Sequence, residues 1–246
     1  MEYILKKSSN NELINNSNLD VFSKRILSTY PLEIIDDYLN YQYIEPQFEN
    51  IDEIIAKINA FMNDNKKIVI VGDYDCDGIL GTSILVKGFA KLGYHVGYYI
   101  PDRLKDGYGL NRNMVTLFKN KGYDLIITID NGINAHEAIT YAIDNHIDVI
   151  VSDHHHFNEY DLLANVLYLH PQLSDLDYNI SGGMVAYYLV SHLLKYNDDY
   201  LKSLASITLL SDVMPIIKNN RLMIKELLHN SNPYLPIKLL SQNKIS

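Results

Sequence analysis

The sequence predicts an α/β protein: a parallel sheet of about five strands flanked by helices, with a helical N-terminal extension and a helical C-terminal part. Two observations carry this. Short apolar runs rich in Ile, Val and Tyr recur through the middle of the chain, several nearly continuous, as in strands buried on both faces of a parallel sheet. Longer amphipathic stretches separate them, and strand–helix alternation is the pattern of parallel crossovers. In order, the runs are Lys67–Val71, Tyr94–Ile100, Leu125–Ile129, Asp148–Ser152 and Val166–Leu169. Helices are expected between them at Ile79–Leu92, Asn111–Lys121 and Asn134–Asn145, with Gly93 and Gly122 as C-terminal caps of the first two. Upstream, residues 1–49 are polar and rich in Asn, Ser and Tyr, with short helical patterns at Val21–Leu27 and Leu32–Leu39. Residues 50–63 place Ile51, Ile54, Ile55, Ile58 and Phe61 or Met62 on one face, an amphipathic helix with Asn50 as its cap. After residue 180 the chain reads as helical at Gly182–Leu194, Tyr200–Leu210 and Asn220–Leu228.

The 246 residues fit one large domain or two small ones, and a hydrophobic share of 47% is ample for a packed core. A single cysteine, Cys76, excludes an intrachain disulfide and fits a reducing compartment. No apolar run reaches the roughly 18 residues of a spanning helix. The start, Met-Glu-Tyr-Ile-Leu-Lys-Lys, lacks the form of a signal peptide. These readings point to the cytoplasm and to no membrane partner. A net charge of -9 speaks against a generic nucleic-acid coat protein, yet it suits an enzyme that holds divalent cations with carboxylates.

In open parallel sheets, ligands bind beyond the carboxyl ends of the strands. Four polar clusters are expected there. Gly72-Asp73-Tyr74-Asp75-Cys76-Asp77-Gly78 can aim carboxylates at one point. A helix N-cap is the structural alternative, but it would use only one of the three acids. Asp130-Asn131-Gly132 is a second cluster, or a simple Asx turn. Asp153-His154-His155-His156 joins an acid to three imidazoles, or is an exposed His run. Asp212 ends an apolar helix, where the dipole disfavours an acid unless a cation compensates it; otherwise it is an exposed helix end. Carboxylate and imidazole without thiolate suit two Mn²⁺ or Mg²⁺ ions better than structural zinc. Two such ions can activate water and stabilise the leaving oxygen of a phosphoester.

In that order, the clusters resemble the DHH phosphoesterase superfamily, named for the segment seen here as Asp153-His154-His155. Within it they look like the RecJ-like single-strand-specific exonucleases. The supporting segments are residues 71–78, 101–110 (Pro-Asp-Arg-Leu-Lys-Asp-Gly-Tyr-Gly-Leu), 129–133, 152–155 and 211–215. The segment 101–110 separates RecJ-like proteins from pyrophosphatases and small oligonucleotidases. The resemblance covers about residues 50–225 as a DHH phosphoesterase domain. Residues 1–49 are left as the extension and 226–246 as the start of a linker or a tail. It implies that Asp75 and Asp77 bind the metals with Asp73 beside them, and that Asp130 bridges both ions and is catalytic. It further implies that His154 is a metal ligand, that Asp212 is a ligand completing the coordination of the second metal, and that His155 contacts the scissile phosphate as a catalytic and substrate-binding residue. Arg103 is a candidate phosphate contact, or a surface arginine closing a salt bridge. Gly182, in the small-residue helix start Ser181–Ala186, is expected on the substrate side.

Three departures stand out. Val71 occupies a position where many superfamily members carry His, so Asp73 is expected to take that role. Met184 stands where a smaller residue is expected, which bears on local packing. RecJ-like proteins continue into a second domain, DHHA1, and often an OB-fold, and nothing after residue 225 resembles either. The expected function is hydrolysis of single-stranded nucleic acid, DNA in particular, 5′ to 3′, in repair and recombination. One alternative is a hydrolase of small phosphoesters such as oligoribonucleotides or cyclic dinucleotides. Another is a fragment acting with a separate chain that supplies the DHHA1 domain.

Overall fold

The computed structural model describes residues 12–158, 162–174, 176 and 179–229. The expected tail, residues 226–246, lies outside them beyond residue 229. Five parallel strands form one sheet: β1 (Ile68–Val71), β2 (Gly97–Tyr99), β3 (Leu125–Ile129), β4 (Asp148–Ser152) and β5 (Leu167–Leu169), in the order β2-β1-β3-β4-β5. The chain moves outward from β1 to β2, then returns to place β3 on the other side of β1. The carboxyl ends of β1 and β3 therefore flank the topological switch point, where open sheets hold their ligands.

Side-chain alternation explains why the strands read as continuously apolar. Ile68, Ile70, Leu125, Ile127, Ile129, Ile150 and Leu169 face one layer of helices. Val69, Val71, Ile126, Val149, Val151 and Tyr168 face the other. The second layer holds α6 (Arg112–Asn120) and α7 (His136–Asp144). The first holds α4 (Ile51–Asn63), α5 (Cys76–Lys91), α8 (Gly182–Leu194), α9 (Asp199–Ser211) and α10 (Lys218–His229). Helix α8 is buried at eleven of its thirteen positions, and such an all-round apolar helix belongs at the centre of its layer. It crosses α5 at small residues. A Cβ on Gly81 would stand 2.5 Å from Ile129 Cγ2 and 3.2 Å from the Gly183 Cα, so the crossing closes only because both positions are glycine. Met184 is fully buried without disturbing this, because Gly182 and Gly183 meet the need for small residues.

The extension carries α1 (Glu12–Asn16), α2 (Val21–Leu27) and α3 (Leu32–Asn40); the sequence reading did not include α1. A polar seam joins this region to α10. Asn219 Nδ2 donates to Ile44 O at 2.6 Å, its Oδ1 accepts from Ile44 N at 3.1 Å and from Tyr41 Oη, and Arg221 donates to Asp37 O.

Several boundaries differ from expectation. Helix α5 starts at Cys76, because Asp75 takes the N-cap position and accepts from Gly78 N. Strand β2 is shorter than Tyr94–Ile100: Tyr94 belongs to the end of α5, its N–H donating to Phe89 O. Asn50 stands at the N-cap of α4, but its amide donates to Tyr168 O rather than to the helix. Helix α10, Lys218–His229, starts and ends slightly outside the expected Asn220–Leu228.

Candidate metal centre

Every strand-end cluster except Asp212 leaves the sheet at its carboxyl edge; Asp212 arrives there as the C-cap of α9. Asp73 is 3% exposed in the turn after β1. Asp77 is 2% exposed in the first turn of α5, and its carboxylate is held across the helix crossing: Oδ2 accepts from Gly182 N and Oδ1 from Gly183 N, both at 2.7 Å. Two amides of a helix N-terminus thus aim one carboxylate. Asp130 follows β3 with a left-handed backbone, φ 61°, and is 2% exposed.

Asp153, 1% exposed, has a different task. Its Oδ1 accepts from His154 N (2.8 Å), His155 N (3.2 Å) and His155 Nδ1 (2.7 Å), while Oδ2 accepts from Ile133 N (3.0 Å). This acid folds the loop around itself and fixes the His155 ring. His154 then places Nε2 among three carboxylates: 3.1 Å from Asp130 Oδ1, 3.5 Å from Asp212 Oδ2 and 3.7 Å from Asp77 Oδ2.

The arrangement fits divalent cations on three counts. Ligand atoms converge within 4.8 Å in the sets Asp73–Asp75–Asp130, Asp77–His154–Asp212 and Asp130–His154–His155, with Asp130 shared between sets. Asp73 Oδ1, Asp130 Oδ1 and His154 Nε2 are buried without a hydrogen-bond partner among the described residues, although they crowd one another. Buried polar atoms in that condition call for a missing partner. The carboxylates also resist ionisation. Burial, then the charge of Asp130, pushes Asp77 up to about 7. Burial, then the charge of Asp75, pushes Asp130 up to about 8. Asp73 and Asp212 are raised as well, each chiefly by burial. A cation among them removes that penalty. His155 is raised as well, which for a base favours the charged form: its hydrogen bond with Asp153 takes it to about 9.

The remaining candidates fall less simply. Asp75 is exposed and doubles as helix cap and member of the first set, so the N-cap alternative holds for this one acid. Arg103 is exposed and lies 5.1 Å over the Tyr74 ring, a cation–π contact in place of the salt bridge considered for it. The neighbouring acids are engaged within the loop itself: Asp106 accepts from Tyr99 Oη and Asp102 N, and Asp102 pairs with Lys105. Gly182 is buried, its N–H is committed to Asp77, and a Cβ there would lie 2.7 Å from Asp130 Cβ. It lets two of the candidate ligands, Asp77 and Asp130, approach each other.

Three residues near the centre had no role of their own expected from the sequence. His170, at the end of β5, donates from Nε2 to His155 O at 2.9 Å and accepts from Gln172 N; burial lowers it to about 4, so it stays neutral. The rule that nominated the other clusters, a polar residue at a strand's carboxyl end, would have found it. Tyr108 stands edge-on to His155 at 6.1 Å, and Asn131 is buried with its amide bonded to backbone. Asn131 stands in the Asp130–Gly132 cluster and Tyr108 in the segment 101–110, but neither pattern indicates these contacts.

Fold and site together define a class: α/β domains that gather carboxylates and imidazoles for divalent cations at the switch point of a parallel sheet. Within that class, the chain belongs to the DHH family, whose N-terminal domain matches residues 67–211. It is 35% identical over 180 residues to the single-stranded-DNA-specific exonuclease RecJ of Bacillus subtilis, covering 72% of this chain and 23% of that protein. RecJ of Escherichia coli is 30% identical over 196 residues, covering 72% and 34%. The chain thus spans about a quarter to a third of the length of these curated relatives. A crystal structure of exonuclease RecJ bound to manganese superposes with a TM-score of 0.70 at 33% identity, covering 76% of this chain and 49% of that one. RecJ from Thermus thermophilus in complex with Mn²⁺ gives 0.70 at 29% identity, covering 82% and 30%. Among the described residues no helix is long and apolar enough to cross a membrane.

Proposed function

We propose that this chain is the catalytic domain of a RecJ-like phosphodiesterase, removing nucleotides from single-stranded DNA 5′ to 3′ in cytoplasmic repair and recombination. The observation that carries the reading is Asp130, a buried carboxylate common to ligand sets that come from β1, β3 and the loop after β4. Asp73, Asp75 and Asp130 would hold one Mn²⁺ or Mg²⁺ ion, and Asp77, His154 and Asp212, with Asp130 shared, the other. Bound there, two such ions supply Lewis acidity for the phosphoryl oxygens and ionise water near neutral pH. The protein's own part is orientation. Asp153 holds Nδ1 of His155, leaving Nε2–H to donate to a non-bridging phosphate oxygen. Below pH 9 the ring carries a positive charge in the metal-free site, which suits an anionic substrate. Arg103, braced on Tyr74, offers a second donor group for a phosphate.

Strands labelled at either end, and a dinucleotide, incubated with Mn²⁺ or with EDTA, test the reading. Mononucleotides released from the 5′ end only with the metal are expected; full turnover in EDTA would end it. The net charge of -9 favours a second reading, a hydrolase of small phosphoesters, because it supplies little electrostatic attraction for a long strand. Preference for the dinucleotide, unchanged when a chain carrying a DHHA1 domain is added, would decide for that reading.

A further inference from the structure

We infer that Asn131 is a positioning residue that sets the width of the first ion's site, formed by Asp73, Asp75 and Asp130; the inference rests on the two-ion reading above. Asn131 is 0% exposed in the turn after β3. Its Nδ2 donates to two backbone carbonyls, Val71 O at 3.0 Å and Ile129 O at 2.8 Å. These belong to the last residues of β1 and β3. The ladder between the two strands ends with Val71 opposite Thr128, so Ile129 has no partner on β1. The amide therefore ties the strand ends together where the ladder stops. Asp73 lies two residues past the first carbonyl and Asp130 immediately follows the second, so one side chain governs the distance between them.

Chemistry fixes the orientation. Turned over, the amide would point its oxygen at two carbonyl oxygens. As placed, Oδ1 is buried near Gly109 without a hydrogen-bond partner among the described residues. An amide held with its acceptor unmet is held for its donors. Its bond to Ile129 O also closes the turn around Asp130, whose left-handed φ of 61° needs such support. The second ion's own ligands, Asp77, His154 and Asp212, sit on α5, the loop after β4 and the end of α9, away from both tied carbonyls.

The test is Mn²⁺ binding by the full chain, followed by calorimetry and by the electron paramagnetic resonance of paired ions. Wild type is compared with Asn131→Asp, which keeps the shape but loses both donors, and Asn131→Ser, which is smaller and keeps one. Wild type is expected to bind two ions; a single ion there removes the two-ion reading and this inference with it. In Asn131→Asp, the circular dichroism should stay at the wild-type value, and the affinity for the second ion, which draws only Asp130 from the tied turn, should change least. The other affinity should fall about ten- to hundredfold, as for lost outer-shell partners, with loss of the paired-ion signal. Asn131→Ser should fall between. Two wild-type affinities in both variants overturn the inference. So does equal weakening of both ions, or failure of both variants to fold, since either makes Asn131 a general structural residue.

Discussion

Asp153→Asn removes one charge from the middle of the site while leaving its shape. Asp153 accepts four donors: two backbone N–H groups and the His155 ring on Oδ1, and Ile133 N on Oδ2. An amide must turn its NH₂ toward one of these sets, which leaves at least one buried donor unmet at a cost of about 1–3 kcal/mol. The charge adds a second loss. Asp153 holds His155 near 9 against an ordinary 6.5, worth about 3 kcal/mol if fully expressed. The imidazole side chain is 43% exposed, so screening reduces this to about 1–2 kcal/mol. The sign follows from linkage. A raised histidine stabilises the folded state fully below 6.5, and that stability is lost as pH rises through 9. Asp153 itself is lowered from 3.8: burial raises it, but the bond from His155 and the backbone donors outweigh burial, so its share is present above that value. The stability gap between wild type and variant should therefore be widest between about pH 4 and 6.5 and narrow by about 1–2 kcal/mol toward pH 9. Denaturant unfolding of the metal-free proteins across that range measures the gap, and the His155 ring proton in NMR reports its titration directly. A His155 that still titrates near 9 in the variant, or a gap that stays flat with pH, would refute the assignment of Asp153 as the residue that charges His155.

Other outcomes follow from the same geometry. Asp130→Ala and His154→Ala should each lower phosphodiesterase turnover by roughly three orders of magnitude with circular dichroism unchanged, since an ion contributes several kcal/mol to the transition state; near-normal turnover for Asp130→Ala would rule out its sharing. Asp77 near 7 and Asp130 near 8 are raised acids, whose stabilising protons are lost as pH rises through those values. The metal-free chain should therefore lose melting temperature from about pH 4 up to about pH 8 and level off above it, while the shift given by Mn²⁺ grows over that range; a shift independent of pH would contradict this. Gly183→Ala places a Cβ 2.6 Å from Thr208 Cγ2 and 2.9 Å from Asp77 Oδ1, so it should cost about 1–3 kcal/mol in denaturant unfolding and weaken Mn²⁺ binding; wild-type stability would disprove the close crossing. Residues 1–246 alone should cleave a small activated phosphodiester but digest a long strand poorly, and processive digestion by this chain alone would show that reasoning wrong.

Sequence made the centre of the sheet legible because β1, β3 and β4 are buried on both faces, whereas the edge strand β2 is partly exposed. Leu125–Ile129 lies between Asp124 and Asp130, and Asp148–Ser152 opens on an acid and is followed by Asp153; the limits of both agree residue for residue. Gly182–Leu194 agrees too, framed by Ser181 and the left-handed Lys195. Errors fell where one residue serves two elements. Asp75 reads as part of a metal loop but also caps α5, which moved that helix three residues upstream. Tyr94 reads as strand but closes a helix end against Phe89. In the site, acids and histidines announced themselves at strand ends. The contacts that orient them did not: the bonds of Asn131, His170 and the amides of Gly182 and Gly183 join distant segments, so even where a strand-end position marks the residue, its partner is not written in the local pattern.

The seam between the extension and α10 has a consequence for synthesis. Ile44 is bonded to Asn219, 175 residues later. At about 5–20 residues per second, a ribosome needs roughly 10–35 s to deliver the second partner after the first. Throughout that interval the segment around Ile44 has no α10 to rest on, while the sheet between can already assemble. Docking of the segment around Ile44 thus waits for residue 219, and a translational pause before that residue would lengthen its exposure to proteases and chaperones.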